Sequence, residues 1–433
     1  MTRLYPEARI AALDMDKNDL VYGNSWYEEE RDDFTSFRWL PTKGAVLIPR
    51  EMTSAHKYVT LPVFSEFADF SQVLTVRLGE KTLVKLPLLK SWNFYTVPLN
   101  APGPGDAGGR TAGPVVLTLS LNKLLPAKYH SGDSRSLGVR VGAPEFHNDD
   151  ERRAMFLFFH KNAQLNRREM AEGKTRLESY PLSLGIDLYG KCNISPHCVY
   201  CLWDSMKELE GGNADVHVDK STLEGYGPFF KAARSLINCS FGEPLLHPQF
   251  EEILDFCARN NKILELSTNG QAFNERTVQA MAGKPIYLYI SLDAATKETY
   301  AKIRNDRWDT IIPGLRRLGE ARKRAGGLPK INMVFIPMRV NRGDLEEYFK
   351  LCVIVGADSL VIRPMLFLVD ARIEEDRGGY HFDYEKEMLN RQEIEEVLRK
   401  CDEYSEKYGV PVANQFDFGL VREPGKQAGG EKA

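Results

Sequence analysis

The chain has 433 residues, of which 43% are hydrophobic and 27% charged, a composition that supports packed cores, excludes general disorder and suggests two or three domains. With 57 Lys and Arg against 60 Asp and Glu the formal net charge is -3, which excludes a whole-molecule field that attracts nucleic acid or an anionic membrane. No apolar run approaches the roughly 18 residues of a membrane span, and charges interrupt the first residues too early for a signal peptide, so we expect a cytoplasmic protein with no nucleic-acid or membrane partner.

The first part of the chain, residues 1–145, is predicted to form an all-β sandwich, because short β-rich runs recur between turn signals. Residues 101–114 are rich in Gly and Pro and are predicted to form a loop. Residues 146–180 are highly charged, with a helical pattern over 150–173, and are interpreted as a helical linker. The strand-like runs are Ala45–Pro49, Tyr58–Leu61, Val73–Leu78, Thr82–Leu86, Asn93–Leu99, Val115–Ser120 and Leu137–Val141.

Residues 181–380 alternate strand-like and helix-like stretches. Six repeats of this βα type predict an α/β fold with a parallel sheet, closed or partly closed, as in a partial (βα)6 barrel. Residues 381–433 are predicted to hold a C-terminal helix over Arg391–Tyr408 and a flexible tail. The six strand-like runs are Leu182–Leu188, Ser235–Ser240, Ile263–Ser267, Ile286–Leu292, Lys330–Ile336 and Ser359–Ile362; the helical stretches include Phe250–Asn260, Glu275–Ala282, Ile311–Ala325 and Arg342–Val355.

Three of the seven cysteines, Cys192, Cys198 and Cys201, follow directly after the first strand of the repeat, where sites form in parallel sheets. Three thiolates at this spacing suit three irons of a cubane cluster and leave the fourth iron open for a substrate or cofactor. The alternative is a zinc site with His197 as the fourth ligand. Structural zinc usually takes its second ligand pair from a separate knuckle, and the chain has no second CxxC and no HxxxH.

The cysteine segment resembles that of the radical S-adenosylmethionine (SAM) superfamily, with CX5CX2C in place of the commoner CX3CX2C. Further motifs agree in order between residue 181 and about residue 365. Segment 240–246 reads SFGEPLL and is similar to the GGEP motif of the family, with Phe241 in place of the first glycine. The other matches are Tyr200, the STNG segment Ser267–Gly270, the SLD segment Ser291–Asp293, and Arg304.

This resemblance implies a radical SAM barrel that binds a 4Fe-4S cluster through Cys192, Cys198 and Cys201 and holds SAM on the open iron. Tyr200 is expected near the adenine, and Glu243, after Gly242, is expected to accept a hydrogen bond from the methionine ammonium group. Hydroxyl, amide and carboxylate groups are expected to contact the ribose or the methionine carboxylate, and the guanidinium of Arg304 to pair with that carboxylate. The side chains expected to supply these polar groups are Ser267, Asn269, Ser291 and Asp293.

The resemblance also implies the chemistry. An electron from the reduced cluster cleaves SAM to methionine and a 5′-deoxyadenosyl radical, which abstracts hydrogen from a substrate carbon. The electron donor is expected to be a flavodoxin- or ferredoxin-type protein. Only Cys352 and Cys401 lie beyond residue 260, too few for a second cluster.

A thiol can donate a hydrogen atom to a substrate radical, so each remaining cysteine is a candidate for this role. Cys257, Cys352 and Cys401 lie on apolar helical stripes and are interpreted as small buried hydrophobic residues. Cys239 ends a strand just before Gly242 and is the candidate donor, although a core position is the alternative for it as well.

The N-terminal segment resembles, more loosely, small β-sandwich domains of bacterial polysaccharide and glycoside biosynthesis proteins, through residues that include Trp26, Trp39 and Trp92. These tryptophans are equally interpreted as core anchors, and Asp133 and Arg135 as an internal ion pair. From the sandwich, the single cluster and the spare thiols we expect a carbohydrate-containing small molecule or an oligosaccharide as substrate and epimerisation as the reaction, similar to radical SAM sugar epimerases of the avilamycin pathway type.

Three alternatives remain open. The first is a radical SAM dehydrogenase or dehydratase acting on an amino sugar. The second is a radical SAM enzyme that modifies a peptide. The third is an iron-sulfur protein that binds glycans without catalysis, and a SAM pocket with Glu243, Ser291 and Arg304 in place argues against it.

Overall fold

The computed structural model describes residues 20–23, 25–31, 36–67, 71–99, 114–126, 135–201, 217–260, 262–325, 327–365 and 374–416. The chain divides into two compact units, Met1–Leu182 and Ser183–Ala433. Most of the predicted loop at 101–114, and the tail after residue 416, lie outside the described residues. In the part of the chain that is described, no helix is both long and apolar enough to cross a membrane.

The first unit is built from β-strands and two helices. Seven of its strands correspond to the predicted runs. The pattern did not indicate four short strands of 2 to 5 residues, Val21–Tyr22, Glu29–Arg31, Ser36–Leu40 and Glu145–His147. The elements are β1 Val21–Tyr22, β2 Glu29–Arg31, β3 Ser36–Leu40, β4 Lys43–Ile48, α1 Arg50–Ala55, β5 Tyr58–Ser65, β6 Val73–Leu78, β7 Lys81–Pro87, β8 Ser91–Pro98, β9 Val115–Leu121, β10 Val139–Gly142, β11 Glu145–His147 and α2 Asp150–Ala171.

These strands form two antiparallel sheets. One has the order β1-β4-β9-β6-β7, and the other has the order β11-β5-β10-β3-β2, with β8 also paired to β5. Alternate residues of both sheets are buried in one hydrophobic cluster, including Val46 and Leu119 from the first sheet and Leu61 and Val97 from the second. This alternation of buried and half-exposed positions is expected when each sheet has one face on a core.

The structure shows the surroundings of two of the tryptophans and of Arg135 in this unit. Trp26 and Trp39 are buried, and Trp26 Nε1 donates to the Ala45 carbonyl at 3.0 Å. Arg135 pairs with Glu30, a partner that was not predicted, while Asp133 and the side chain of Trp92 lie outside what the structure describes.

The helix predicted over 150–173 is α2, and it packs within the first unit. Its N-cap residue Asp149 accepts a hydrogen bond from the Arg152 backbone N–H at 2.8 Å. The rings of Phe156 and His160 both lie 5.7 Å from the ring of Tyr95 on β8. Edge-to-face ring contacts of this kind tie the helix to the sheet.

The second unit alternates strands and helices as predicted. Its strands are β12 Ser183–Ile186, β13 Ser235–Asn238, β14 Ile263–Thr268, β15 Ile286–Ser291, β16 Lys330–Phe335, β17 Ser359–Ile362, β18 Glu374–Arg377, β19 Tyr380–Asp383 and β20 Val412–Asn414. Its helices are α3 Lys220–Gly225, α4 Pro228–Ala232, α5 Phe250–Arg259, α6 Glu275–Met281, α7 Lys297–Ile303, α8 Trp308–Arg324, α9 Leu345–Val355, α10 Tyr384–Glu387 and α11 Arg391–Tyr408, with 3-10 turns at Pro244–Leu246 and Arg342–Asp344.

A parallel sheet organises this unit, with strand order β12-β13-β14-β15-β16-β17-β20 and parallel pairing throughout. The α/β prediction is therefore confirmed, and β20 is a seventh strand that the pattern did not indicate. On each central strand, one set of alternate residues enters the helix-covered core. The other set forms a second face that is partly polar, which places side chains of several strands on one surface.

Candidate functional site

The cysteine loop leaves the C-terminal end of β12 and is held against the loop after β13. A Cβ on Gly242 would lie 2.1 Å from the Tyr189 carbonyl oxygen and 2.9 Å from the Lys191 nitrogen, so only glycine allows this approach of two backbones. Next to it, the Glu243 N–H donates to the Lys191 carbonyl at 2.7 Å. Gly242 thus brings Glu243 beside the start of the cysteine loop.

The three predicted cluster ligands are half-buried in this loop, and no cysteine of the chain is in a disulfide. Burial raises the pKa of the Cys192 thiol, partly offset by a hydrogen bond from the Ile194 backbone. Burial likewise raises the pKa of the Cys198 thiol, against the attraction of Arg304. The thiols are therefore neutral until a metal displaces their protons, which is how thiolate ligands bind metal.

Among the described residues, no three His, Cys, Asp or Glu side chains converge on one metal-ion position. A cubane cluster does not require such convergence, because each thiolate binds a different iron.

Glu243 presents a buried carboxylate at the centre of the site, with 1% of its surface exposed. One oxygen accepts from Thr268 Oγ1 at 2.8 Å and from the Leu245 N–H at 3.2 Å, and the other accepts from the Asn269 N–H at 2.8 Å. Burial raises the pKa of this carboxyl to about 7, although these three hydrogen bonds act in the opposite direction. A buried carboxylate without a cation in contact is suited to receive one from a ligand.

Asn269 connects Glu243 to the cysteine loop. Its side-chain amide Nδ2 donates to Asn193 Oδ1 at 2.7 Å and lies 3.7 Å from Cys192 Sγ. Its Oδ1 accepts from the Gln271 N–H at 2.9 Å. An amide donor facing a cysteine sulfur stabilises the thiolate that a cluster needs.

Tyr200, Asp293 and Arg304 form a second group of contacts. Arg304 Nη2 donates to Asp293 Oδ2 at 2.6 Å and to the Tyr200 hydroxyl at 2.8 Å, and Arg304 Nε donates to the Leu292 carbonyl at 3.0 Å. The Tyr200 hydroxyl also donates to Asp293. Burial opposes the charge of Arg304, but the neighbouring Cys198, Tyr200 and Asp293 outweigh it and raise its pKa.

Asp293 is the one non-glycine residue with positive φ among the residues described, at 56°, a conformation that aspartate tolerates. Its Oδ1 accepts from the Ile336 N–H at 2.9 Å, and its carbonyl accepts from Asn341 Nδ2 at 2.8 Å. The contacts of Asp293 that the structure describes are thus internal to the protein. Direct binding of SAM by Asp293 and Arg304 stays a prediction.

Two predicted contact residues, Ser267 and Ser291, lie near the ends of β14 and β15 on the face away from the helical core. Ser267 is exposed and Ser291 is half-buried. Within the described ranges, neither hydroxyl has a protein hydrogen-bond partner, so both are available to a ligand.

Cys239 differs from the other scattered cysteines. Cys257, Cys352 and Cys401 are buried in the core, whereas Cys239 is exposed. The Cys239 side chain lies over β12, where a Cβ on Gly185 would come within 3.0 Å of Cys239 Sγ. The thiol is therefore on the partly polar face of the sheet.

Sequence reasoning missed several residues that support the site. Thr268 lay inside the STNG motif but was not assigned a role, and Asn193 and Asn341 carried no motif signal. Arg377 lies outside the motifs identified in the sequence. In the structure Arg377 Nη1 donates to the Arg304 carbonyl at 2.6 Å and to the Pro196 carbonyl at 3.4 Å.

These donors fit the implied cofactors. Three thiols on one loop, with an amide donor at one sulfur, suit a cubane cluster with an open iron. The buried Glu243 suits the ammonium group of SAM, and the hydroxyls of Ser267 and Ser291 suit its polar groups.

Comparison with known proteins agrees with this geometry. The family model described as "Radical SAM superfamily" matches residues 186–352. The chain therefore contains a radical SAM domain, as the cysteine loop predicted. Members of this superfamily bind a 4Fe-4S cluster and SAM.

Characterised relatives are more distant. The mycofactocin maturase MftC of Mycobacterium tuberculosis (strain CDC 1551 / Oshkosh) is 28% identical over 189 residues, which cover 42% of this chain and 44% of that protein. MftC of Mycobacterium ulcerans (strain Agy99) is 27% identical over 189 residues, covering 42% of this chain and 47% of that protein. The match thus spans less than half of the length of these relatives.

Among solved structures, SuiB of Streptococcus suis bound to precursor peptide SuiA has a TM-score of 0.45 and 15% identity, covering 63% of this chain and 56% of that one. The description of MftC is that of a maturase and not of a sugar epimerase.

Proposed function

We propose that this chain is a radical SAM enzyme that modifies a peptide. The observation that carries the enzyme proposal is the hydrogen-bonded connection from Glu243 through Asn269 to Cys192. It joins a carboxylate suited to the SAM ammonium group with a predicted cluster ligand. A structural cluster alone would not need a buried acidic group at this place.

The peptide substrate is proposed because the relatives found are maturases, at 26% to 28% identity. The carbohydrate epimerase expected from the N-terminal resemblance has no such support. The electron donor is proposed to be a flavodoxin- or ferredoxin-type protein, because the cluster needs one electron for each cleavage of SAM.

When bound, SAM and the reduced cluster supply a 5′-deoxyadenosyl radical that abstracts a hydrogen atom from the substrate. Cys192, Cys198 and Cys201 would hold the cluster, and Asn269 would orient Cys192 through its amide. Glu243 would receive the ammonium group in its ionised form.

The other site residues would position the cofactor. The ion pair of Arg304 with Asp293 holds the Tyr200 hydroxyl through two hydrogen bonds. The hydroxyls of Ser267 and Ser291 would donate to the ribose or to the methionine carboxylate. Preorganisation of this kind lowers the cost of binding SAM in a reactive geometry.

The experiment is anaerobic reconstitution with iron and sulfide, addition of SAM and dithionite, and measurement of 5′-deoxyadenosine by mass spectrometry. We expect the product from the wild type and from Cys401→Ala, a control thiol of α11, and none from Cys198→Ala, whose cluster lacks one ligand. Product from Cys198→Ala would contradict the proposal. So would a loaded wild-type cluster that forms no product and whose EPR spectrum is unchanged by SAM.

Cys239 supports a second candidate reaction, return of a hydrogen atom from its thiol to a substrate radical, which would make the enzyme an epimerase. The supporting observation is that Cys239 is exposed on the partly polar face of the sheet, whereas Cys257, Cys352 and Cys401 are buried. With a peptide substrate in deuterated water, the wild type and Cys401→Ala would then place deuterium on one product carbon, and Cys239→Ala would not. Equal deuterium in Cys239→Ala would exclude this role.

The first unit is proposed to be a β-sandwich that binds the substrate or a partner protein. The two antiparallel sheets share one hydrophobic cluster, which is the arrangement of a sandwich.

A further inference from the structure

Three half-buried side chains on the partly polar face of the parallel sheet have no assigned role in binding the cofactors. They are Glu265 of β14, Tyr289 of β15 and Arg363, which directly follows β17. Their neighbours along each strand enter the helical core instead; these are Leu264, Leu266, Leu288, Ile290 and Ile362. The alternation of a strand therefore puts all three on the same face.

The guanidinium of Arg363 lies over the ring of Tyr289. Its carbon Cζ lies 5.3 Å from the centroid of the tyrosine ring. Tyr289 is in register with Asn332 of β16, and Asn332 is in register with Ser359 of β17. The arginine side chain thus reaches across β16, and its backbone N–H is held by the Phe335 carbonyl at 3.1 Å.

Within the described ranges, no carboxylate neutralises the charge of Arg363. Its Nε atom is buried and has no hydrogen-bond acceptor, and no carboxylate in the described part of the chain pairs with it. Because an arginine does not give up its proton, a half-buried guanidinium without an anion is costly. An incoming anion would supply the missing acceptor.

Glu265 has no cationic partner within the described ranges, so it does not pair with Arg363. Burial raises the pKa of its carboxyl. Burial and, after it, the charge of Glu265 raise the pKa of Tyr289, whereas Arg363 lowers it. Tyr289 thus lies within the electrostatic range of both groups, and no anion among the described residues pairs with the guanidinium.

We propose that Arg363, held over the ring of Tyr289, binds a carboxylate of the substrate and holds the substrate near the SAM site. The planar N–H edge of a guanidinium matches a carboxylate in two parallel hydrogen bonds. Ser291, a predicted SAM contact, lies two residues beyond Tyr289 on the same face of β15, about 7 Å along the strand.

This inference rests on the proposed function and narrows its substrate to a peptide that presents a carboxylate to the site. The carboxylate comes either from the peptide C-terminus or from an Asp or Glu side chain. The chemistry recognised at Arg363 is the same for both sources.

The experiment measures how fast phenylglyoxal modifies Arg363 in the reconstituted, SAM-bound protein, followed by peptide mass spectrometry. The probes are N-acetyl-phenylalanine, with a terminal carboxylate, N-acetyl-glutamate α-amide, with a side-chain carboxylate, and N-acetyl-phenylalanine amide, with none. We expect modification to slow about threefold when a carboxylate probe is present at twice its dissociation constant. The amide should have no effect, and the probe that protects better identifies the source of the carboxylate.

The matched control is Arg342, which is exposed and paired with Glu393, and its modification should be the same with all probes. In saturation-transfer NMR, Arg363→Gln should lose the signal of the protecting probe, whereas Arg342→Gln should keep it. Equal protection by the amide would overturn the proposal.

A weaker affinity of Arg363→Gln for SAM would also overturn the proposal, because it would assign Arg363 to the cofactor. Failure of the proposed function would be seen separately, as absence of 5′-deoxyadenosine from the wild type, and it would not affect the protection result.

Discussion

At Glu243, burial and hydrogen bonding act in opposite directions on one carboxyl group. Burial raises its pKa to about 7, and hydrogen bonds from Asn269, Thr268 and Leu245 limit the rise. An ammonium group placed beside it would favour the ionised form, so binding of SAM would release a proton. The affinity for SAM therefore increases as the pH rises towards the pKa of the free protein and levels off above it.

We predict that SAM binds up to about tenfold more tightly for each pH unit gained below pH 7, with little change above it. Glu243→Gln should bind SAM weakly and with no such slope, because its amide neither ionises nor attracts the ammonium group. Isothermal titration calorimetry of the cluster-loaded protein between about pH 6 and pH 8 measures this. Glu252→Gln, a change at an exposed residue of α5, should keep the wild-type slope, and a flat wild-type profile would exclude this role of Glu243.

At the scale of elements, the β18–β19 hairpin supports the site from outside the parallel sheet. Arg377 donates to the backbone carbonyl groups of Pro196, in the cysteine loop, and of Arg304. The hairpin turn packs closely on α7, because a Cβ on Gly378 would lie 3.1 Å from the Ala301 backbone. The Val199 N–H also donates to the Ile303 carbonyl at 3.0 Å, so the cysteine loop is held to the end of α7 by two separate contacts.

We predict that Arg377→Ala lowers the iron content after reconstitution and weakens the EPR change caused by SAM. The buried Arg304 carbonyl, left without its donor, costs about 1–3 kcal/mol, and loss of the contact with Pro196 loosens the cysteine loop. Arg377→Lys should restore part of both signals, since the lysine ammonium group can donate to one of the two carbonyls. His381→Ala, at an exposed residue of the same hairpin that contacts Asp376, should behave like the wild type. If Arg377→Ala and His381→Ala behave alike, the hairpin does not position the loop.

The elements that the sequence predicted well carry their own local signals. Helix α11 has the predicted bounds, because Asn390 and Glu393 form a capping box and Gly409 ends the helix in a left-handed conformation. The central strands were located because short β-rich runs alternate with helical patterns along this part of the chain. Strand β20 has 3 residues, two of them exposed, so only its pairing with β17 makes it a strand.

The site residues also divide into those with a local sequence signal and those without one. Glu243, Asn269 and the three cysteines were predicted because their motifs are compact in the sequence. The roles of Arg377 and Arg363 depend on contacts with strands and loops far away along the chain. The bond from Arg377 to the Pro196 carbonyl spans 181 positions, and no local pattern indicates a pairing at that separation.

At the scale of the whole molecule, each unit has its own hydrophobic core. The core of the second unit contains residues from Ile186 to Val410. The cores of the first unit contain residues from Leu20 to Val141. All predicted cluster and SAM ligands belong to the second unit, which therefore holds a complete set of them.

We predict that residues 183–433, expressed alone, fold cooperatively and bind iron as the full chain does. The physical reason is that a core formed within one segment does not need the other segment to exclude water. Thermal unfolding followed by circular dichroism, and iron analysis after reconstitution, measure this. Cys198→Ala in the same fragment is the control and should unfold cooperatively while holding less iron. A fragment that melts without a cooperative transition would show that the second unit depends on the first for its fold.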